Sequence, residues 1–297
     1  QFVEANSEFF MVADLSHGYH QIALSEQASR YTTFVVSCGK GTRRYRWVRA
    51  PQGLNCSSDW FNFQSDKVFS HLEGVIKLVD DVLVQAPDWL TFLKRVRNVF
   101  EAAKRNGVYI SEKKIQYGKR VDYAGFVIAR EGEHTVLRPD TKLLKSIREF
   151  PLPEKVSDVK SFQGVLGQVQ PFNPDTSSGL YKMRGLLKKG VDFLLTPEMK
   201  EEFKAATQAF GSEYQKIYAF DSNLPIYLIT DASYCGLGFA LCQKHPDEEG
   251  YRIIHCGSKS LTPAMHNYSV SEIECAAVFL GMMKCAWWLR GVFFTVI

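Results

Sequence analysis

The 297 residues include 36 Lys and Arg against 32 Asp and Glu, giving a formal charge of +4, and 45% of them are hydrophobic. This length allows two domains, or three small ones, with the composition of an ordinary globular protein. The mild positive charge permits a polyanionic partner without requiring one. No apolar run approaches the ~20 residues that span a bilayer, which excludes a transmembrane helix.

The cysteines are odd in number and show no paired metal-binding spacing. They stand at positions 38, 56, 235, 242, 256, 275 and 285. This pattern favours a reduced intracellular compartment over a disulfide scaffold.

Short β-rich runs alternate with two helical stretches in residues 1 to about 129. The predicted strands are 9–15, 45–49, 75–84 and 123–128, and the predicted helices are 57–69 and 89–106. Asn106-Gly107 supplies a stop signal for the second helix.

The rest of the chain is first helical and then rich in strands. Helices are predicted at 141–150, 157–169, 180–189 and 197–214. After a turn cluster that begins at Asp221, strands are predicted at 224–230, 236–243 and 251–258, a helix at 271–289 and a strand at 292–297. Because the chain opens abruptly and closes inside an apolar run, we expect a fragment of a longer protein.

Two adjacent carboxylates, Asp80 and Asp81, interrupt an otherwise apolar strand-like run. Burying ionised groups costs several kcal/mol unless a positive group compensates them. The pair therefore indicates a tight turn, a helix cap or a divalent cation, and an ordinary hairpin turn is the simplest alternative.

A third carboxylate, Asp14, stands near the end of the apolar run 9–15. One Asp from a strand and an Asp pair from a hairpin are what two-metal phosphoryl transfer needs, with two Mg²⁺ ions about 3.5–4 Å apart. Hard carboxylate oxygens suit Mg²⁺.

Several strings occur together in a recognisable order. They are Asp14-Leu-Ser-His-Gly-Tyr19, Ala50-Pro-Gln-Gly-Leu54, Leu78-Val-Asp-Asp81, Tyr123-Ala-Gly-Phe126, the run 139–153, Thr230-Asp-Ala-Ser233 and Asn267-Tyr-Ser-Val270 with Glu274. The ordered set resembles the reverse transcriptase and ribonuclease H (RNase H) region of gypsy-type LTR retrotransposons, and the resemblance covers nearly the whole chain.

The resemblance implies an α+β fold: a right-hand polymerase palm with partial fingers (1–129), a helical thumb and connection (130–220), and a truncated RNase H-like α/β domain (221–297). Asp14, Asp80 and Asp81 would be the catalytic carboxylates, with Asp14 and Asp80 the main metal ligands. Tyr19 would lie under the incoming sugar and exclude a 2′-hydroxyl. An ordinary core tyrosine is the alternative for Tyr19.

The resemblance implies a binding role for several other residues, and each of them has a simpler structural explanation as the alternative. Gln52 would contact the incoming nucleotide, or be a turn residue, and Lys114 would lie near the triphosphate, or be a solvated lysine. Arg46 and Arg49 interleave with aromatic residues and could lie along nucleic acid, or form a solvated face. Gly164 lies on a predicted thumb helix that resembles the helix tracking the duplex minor groove. A glycine there would let the duplex come close to the helix backbone, and simple sequence drift is the alternative explanation.

The chain departs from the family pattern at two places. Leu78 stands two residues before Asp80, where the family usually has an aromatic residue. This departure puts the positioning of the primer in doubt more than the metal site. In the thumb helix, Gln168, Val169 and Gln170 stand where polar and aromatic residues are common.

In the RNase H region the resemblance gives Asp231 and Glu274 as the first two metal-binding carboxylates. The third and fourth would lie beyond Ile297, so we expect no RNase H activity from this chain. Fingers strands that would precede Asp14 are also absent, so we expect weak polymerisation or none from it.

The resemblance implies two Mg²⁺ per active site, with Mn²⁺ as an alternative ion. The expected partners are an RNA or DNA template–primer duplex, dNTPs and the rest of a retroelement polyprotein (protease and integrase), with no membrane. We expect a location in a cytoplasmic retroelement particle, or in the nucleus. The main hypothesis is a reverse transcriptase core; a decayed or domesticated nucleic-acid-binding copy and a non-catalytic protein that borrowed the palm fold are the alternatives.

Overall fold

The computed structural model describes residues 3–39, 41–172, 180–188, 190–209 and 216–297. The chain forms two compact units, Gln1–Ala124 and Gly125–Ile297. The three-region division with boundaries after residues 129 and 220 stays a prediction. None of the helices in the described ranges is long and apolar enough to cross a membrane.

The first unit contains seven strands and three α-helices within its described residues. They are β1 (Phe9–Asp14), α1 (Glu26–Tyr31), β2 (Phe34–Cys38), β3 (Gly41–Tyr45), α2 (Ser57–Phe69), β4 (Val75–Leu78), β5 (Asp81–Ala86), α3 (Trp89–Arg105), β6 (Gln116–Gly118) and β7 (Arg120–Tyr123).

The central sheet of the first unit has the strand order β4-β5-β1-β6, and its neighbouring strands are antiparallel. β1 and β5 are mostly apolar, apart from Asp14, Asp81 and the buried Gln85, because both lie inside the unit against the core residues of α2 and α3. α3 begins at Asp88, whose carboxylate accepts a hydrogen bond from the Thr91 amide at 2.9 Å. It ends before Gly107, which has a φ of +66° and so stops the helix.

Two predictions for the first unit were wrong in detail. The strand predicted at 45–49 lies earlier, at Gly41–Tyr45, where it forms a two-stranded hairpin with β2. The strand predicted at 123–128 is interrupted, since Ala124 and Gly125 both have positive φ, +53° and +81°, a left-handed conformation that breaks a strand.

The second unit contains two sheets and a group of helices. Its elements are β8 (Phe126–Glu131), β9 (His134–Pro139), α4 (Thr141–Arg148), α5 (Val156–Val169), α6 (Pro197–Gln208), β10 (Ile217–Tyr218), β11 (Ile226–Ser233), β12 (Gly236–Lys244), β13 (Tyr251–Ser260), α7 (Val270–Lys284), α8 (Ala286–Leu289) and β14 (Thr295–Val296).

Helices α4, α5 and α6 share one hydrophobic core. In it the ring of Phe162 packs against the ring of Phe150 on one side and that of Phe203 on the other. The helix predicted at 180–189 is a short 3₁₀ helix, Met183–Leu187, and residue 189 lies outside the described ranges. The helix predicted at 197–214 ends at Gln208, and residues 210–215 likewise lie outside them.

The last sheet has the order β13-β12-β11-β14, with β14 parallel to β11 and the other pairs antiparallel. Helix α7 packs on β11 and β12, where Gly281 lets the helix approach Leu228 and Phe239 closely. The single helix predicted at 271–289 is divided at Cys285 into α7 and α8.

Candidate active site

Asp14 and Asp81 face each other across two hydrogen-bonded strands. β1 and β5 are antiparallel, and the register pairs Phe9 with Ala86 at one end and Asp14 with Asp81 at the other. The amide of Leu15 donates to the carbonyl of Asp80 at 2.8 Å, so the pairing continues to the turn. The structure therefore brings the three predicted carboxylates to one end of the central sheet.

A tight turn presents Asp80. β4 and β5 form a hairpin in which Leu78 pairs with Asp81, leaving Val79 and Asp80 as the two turn residues. Val79 has a φ of +54°. Two-residue hairpin turns need positive φ at the first central position, which glycine usually occupies. A β-branched residue there is strained, and such strain persists where the surroundings enforce it.

The surroundings of Asp81 disfavour its charged form. Burial, followed by the nearby charges of Asp80 and Asp14, raises the pKa of Asp81 above its ordinary value, while Lys114 opposes the shift. Like charges held this close disfavour ionisation. A positive group between them would relieve the repulsion.

Lys114 supplies one such group. Its ammonium lies 3.1 Å from Oδ1 and 3.0 Å from Oδ2 of Asp14, and the Asp14 side chain is only 18% exposed. Lys114 is the last residue of the short 3₁₀ helix Glu112–Lys114. The amide of Ser111, just before this helix, donates a hydrogen bond to the carbonyl of Asp14 at 2.9 Å. The predicted lysine is thus beside the acidic cluster.

The donor set fits Mg²⁺, which prefers carboxylate oxygens and completes its shell with water and substrate phosphates. Among the described residues, no group of three or more His, Cys, Asp or Glu side chains is placed so that it could hold a metal ion. Water and substrate phosphates would therefore have to supply the remaining ligands.

Tyr19 lies on the 3₁₀ helix Gly18–Gln21, which follows β1. Its ring packs against Phe61, with 5.3 Å between the ring centroids, and its hydroxyl is 3.1 Å from Oγ of Ser58. Gly18 is required here, since a Cβ would come within 2.6 Å of the Phe61 ring. Tyr19 is half-buried, and it packs against the core of the first unit through its contact with α2.

The remaining predicted residues of the first unit are exposed. Gln52 lies in the turn before Gly53, whose φ is +91°. Arg46 and Arg49 lie beyond the end of β3, and the Arg49 guanidinium donates to the carbonyl of Gln21 at 2.9 Å.

Gly164 lies on the exposed side of α5. A Cβ built at Gly164, or at Gly167 one turn later, meets nothing within 4 Å. Packing within the described chain therefore gives no reason for either glycine, although each costs about 1 kcal/mol relative to alanine in a helix.

Asp231 and Glu274 belong to elements that pack together. Asp231 is exposed on β11, opposite Gly238 of β12, and Glu274 is half-buried on α7. Ser269 and Glu272 form a capping box that fixes the start of α7.

Sequence reasoning missed Lys77, which stands inside β4 just before the acidic turn. Its side chain is 5% exposed, and its ammonium lies 3.1 Å from Asp66, 3.2 Å from Asn62 and 3.3 Å from the carbonyl of Val79. A charged residue within an apolar strand was the available signal.

The aromatic residues of α2 divide between the core and the surface. Phe61 is buried, but Trp60 and Phe63 are each 50% exposed and pack on each other. Residues 60 and 63 share one face of a helix, and residue 61 points elsewhere.

Two family models match the chain. Residues 2–128 match the reverse transcriptase (RNA-dependent DNA polymerase) family, and residues 195–296 match the RNase H-like domain found in reverse transcriptase. The chain is 28% identical over 299 residues to the retrovirus-related Pol polyprotein from transposon gypsy of Drosophila melanogaster. The chain is a gypsy-type reverse transcriptase and RNase H region. The predicted family is confirmed.

This reverse transcriptase region is also 25% identical over 275 residues to the transposon Tf2-3 polyprotein of Schizosaccharomyces pombe. Alignments cover 96% and 92% of the chain, but it spans only 28% and 20% of the two polyproteins.

Solved structures agree on the fold. A foamy viral protease-reverse transcriptase in complex with an RNA/DNA hybrid has a TM-score of 0.82 at 19% identity, covering 97% of this chain and 38% of that one. A second foamy viral structure, in complex with double-stranded DNA, has a TM-score of 0.83 at 19% identity, covering 97% and 49%. The predicted fold class, a reverse transcriptase polymerase domain followed by an RNase H-like domain, is confirmed.

Proposed function

We propose that this region catalyses RNA- and DNA-directed DNA synthesis, adding a deoxynucleotide from a dNTP to a primer 3′-hydroxyl with two Mg²⁺ ions. The observation that carries the proposal is the pairing of Asp14 with Asp81 across β1 and β5, beside Asp80 on the turn. The raised pKa of Asp81 adds support, because perturbed carboxylates cluster at functional sites.

Asp14 and Asp80, with Asp81 beside them, would hold the ions. When bound, Mg²⁺ lowers the pKa of the attacking hydroxyl and neutralises charge on the leaving group. The primer 3′-oxygen forms a bond to the α-phosphorus, the bond from that phosphorus to the bridging oxygen breaks, and pyrophosphate leaves. The hydroxyl proton passes to solvent.

Residues around the carboxylates would bind and select the nucleotide. The Tyr19 ring, held by Phe61 and Ser58, would occupy the space of a 2′-hydroxyl. Lys114 carries a positive charge beside Asp14, within reach of a phosphate placed there. Gln52 is exposed in a turn and free to approach a nucleotide.

We propose a nucleic-acid duplex as the partner. Related folds are found in complexes with an RNA/DNA hybrid and with double-stranded DNA. Arg46, Arg49 and Gly164 are exposed, as a nucleic-acid surface requires. Asp231 and Glu274 would hold metal in the RNase H-like domain, since carboxylate oxygens suit Mg²⁺.

Primer extension tests the proposal. With enzyme in excess over an RNA-templated DNA primer, we expect Mg²⁺-dependent extension that Asp80→Asn lowers at least about 100-fold, since metal stabilisation contributes several kcal/mol. Asp122→Asn, at an exposed aspartate of β7, is the matched control. Extension by Asp80→Asn at the wild-type rate would contradict the proposal, and duplex binding without any extension by a polyprotein that contains this region would favour the non-catalytic copy instead.

A further inference from the structure

Lys77 is surrounded by three oxygen acceptors that come from two different elements. Oδ1 of Asp66 and Oδ1 of Asn62 lie on α2, and the third acceptor is the carbonyl of Val79 on the turn between β4 and β5. An ammonium has three donors, so these acceptors saturate it. With the side chain 5% exposed, water competes weakly for these bonds.

The turn that Lys77 holds is the strained one. Val79 has a φ of +54°, and residues held in this region cost of order 1–3 kcal/mol unless the surroundings enforce them. The hydrogen bond from Lys77 to the Val79 carbonyl fixes the peptide that links Val79 to Asp80. The orientation of that peptide sets the direction in which the Asp80 carboxylate points.

We propose that Lys77 is a positioning residue for the polymerase metal site: it ties the Val79–Asp80 turn to α2 and thereby holds the Asp80 carboxylate ready to bind a divalent cation. This inference rests on the proposed function and names a further residue for the same site.

The role is geometric rather than electrostatic. Asp66 lies 3.1 Å from the Lys77 ammonium and neutralises its charge, so the pair adds little net potential at the acidic cluster. Methionine has nearly the length of lysine but none of its donors, so Lys77→Met removes the three bonds with little loss of apolar packing.

Mn²⁺ binding, followed by the electron paramagnetic resonance signal of the free ion, tests the proposal on the 297-residue chain. We expect Lys77→Met to weaken Mn²⁺ binding about tenfold or more, the loss usual when a residue that orients a metal ligand is removed. Lys67→Met is the matched control, because Lys67 is an exposed lysine of α2. We expect no change in Mn²⁺ affinity for it.

Thermal unfolding separates this role from a merely structural one. If Lys77→Met lowers Tm but leaves Mn²⁺ affinity unchanged well below Tm, the positioning role is wrong. Should Lys77→Met not fold, Val79→Gly provides a background in which the turn is unstrained, since glycine accepts positive φ. There the double variant is expected to bind Mn²⁺ about tenfold less tightly than Val79→Gly alone, and equal affinities would overturn the proposal.

Asp80→Asn distinguishes failure of this inference from failure of the proposed function. If wild type binds Mn²⁺ at a site that Asp80→Asn removes, the metal site stands whatever Lys77→Met does. If wild type has no such site, the proposed function fails and the role of Lys77 fails with it.

Discussion

The ammonium of Lys114 lies 3.0 Å from Oδ2 and 3.1 Å from Oδ1 of Asp14, so one cation engages both oxygens of this carboxylate. A metal ion bound by Asp14 would have to share or displace that ammonium. Lys114 would thus compete with such an ion, and its side chain, 64% exposed, is free to move to another anion.

Removing Lys114 should therefore tighten metal binding in the absence of nucleotide. We expect Lys114→Met to increase Mn²⁺ affinity about two- to fivefold, the contribution of an ion pair between partly exposed groups. Titration of Mn²⁺ against the free chain measures the effect. Lys113→Met, at the exposed neighbouring lysine, is the control; weaker binding by Lys114→Met would show that the lysine supports the metal site instead of competing for it.

Asp81 should destabilise the fold at neutral pH in the absence of metal. Its pKa is raised in the folded state by burial, Asp80 and Asp14. The stability that its neutral form provides is present below its ordinary pKa and is lost as pH rises through the raised folded value. We expect Asp81→Asn to raise Tm at pH 7 by a small amount, about 1–2 °C, because water screens part of the repulsion.

The same difference should vanish at pH 3, where the carboxyl is neutral in both states. Thermal unfolding of wild type and Asp81→Asn at the two pH values checks the sign. A lower Tm for Asp81→Asn at pH 7 would mean that the carboxylate is compensated in the free chain.

Gly164 provides a test of duplex binding that is separable from folding. Because a Cβ at Gly164 meets nothing within 4 Å, Gly164→Ala should stabilise α5 by up to about 1 kcal/mol. If the duplex backbone approaches this glycine, the same change should weaken binding of an RNA/DNA hybrid severalfold. Fluorescence anisotropy measures the affinity for the hybrid, and denaturant unfolding measures the free energy of unfolding. An unchanged affinity would show that Gly164 does not contact nucleic acid.

Tyr19 should determine which sugar is accepted. We expect Tyr19→Val to raise ribonucleotide incorporation relative to deoxynucleotide about tenfold or more, the range for a change in pocket size. Tyr19→Phe retains the ring and loses only the contact with Ser58, so it should keep the selectivity. Competition between rGTP and dGTP in single-nucleotide extension measures the ratio, and equal selectivity of Tyr19→Val and wild type would refute the role.

The helices of the first unit could be predicted closely because their signals are local. Helix α2 spans Ser57–Phe69, as predicted, and α3 ends one residue before the predicted end. The apolar run of β1 and the Asp pair between two strand halves likewise indicate the hairpin from the sequence alone.

Other features depended on tertiary contacts and could not be predicted. The hairpin of β2 and β3 is exposed, so neither strand shows the apolar alternation of a half-buried strand. The basic and aromatic residues after Gly41 therefore predict a strand that begins four residues later than β3 does. The positive φ of Ala124 could not be predicted either, because alanine rarely adopts this conformation. The contacts of Lys77 link residues of α2 to the turn, and a single sequence does not reveal such a pairing.

A crystal grown with Mn²⁺ tests most directly whether Asp14, Asp80 and Asp81 share divalent cations. We expect anomalous scattering peaks at the end of β1 and β5, with carboxylate oxygens of Asp14 and Asp80 as ligands at about 2.0–2.3 Å and the Lys114 ammonium displaced from Asp14. A Mn²⁺-saturated crystal without a peak at these carboxylates, or with the Lys114–Asp14 pair intact and the ion bound elsewhere, would show that the three aspartates do not form a shared metal site.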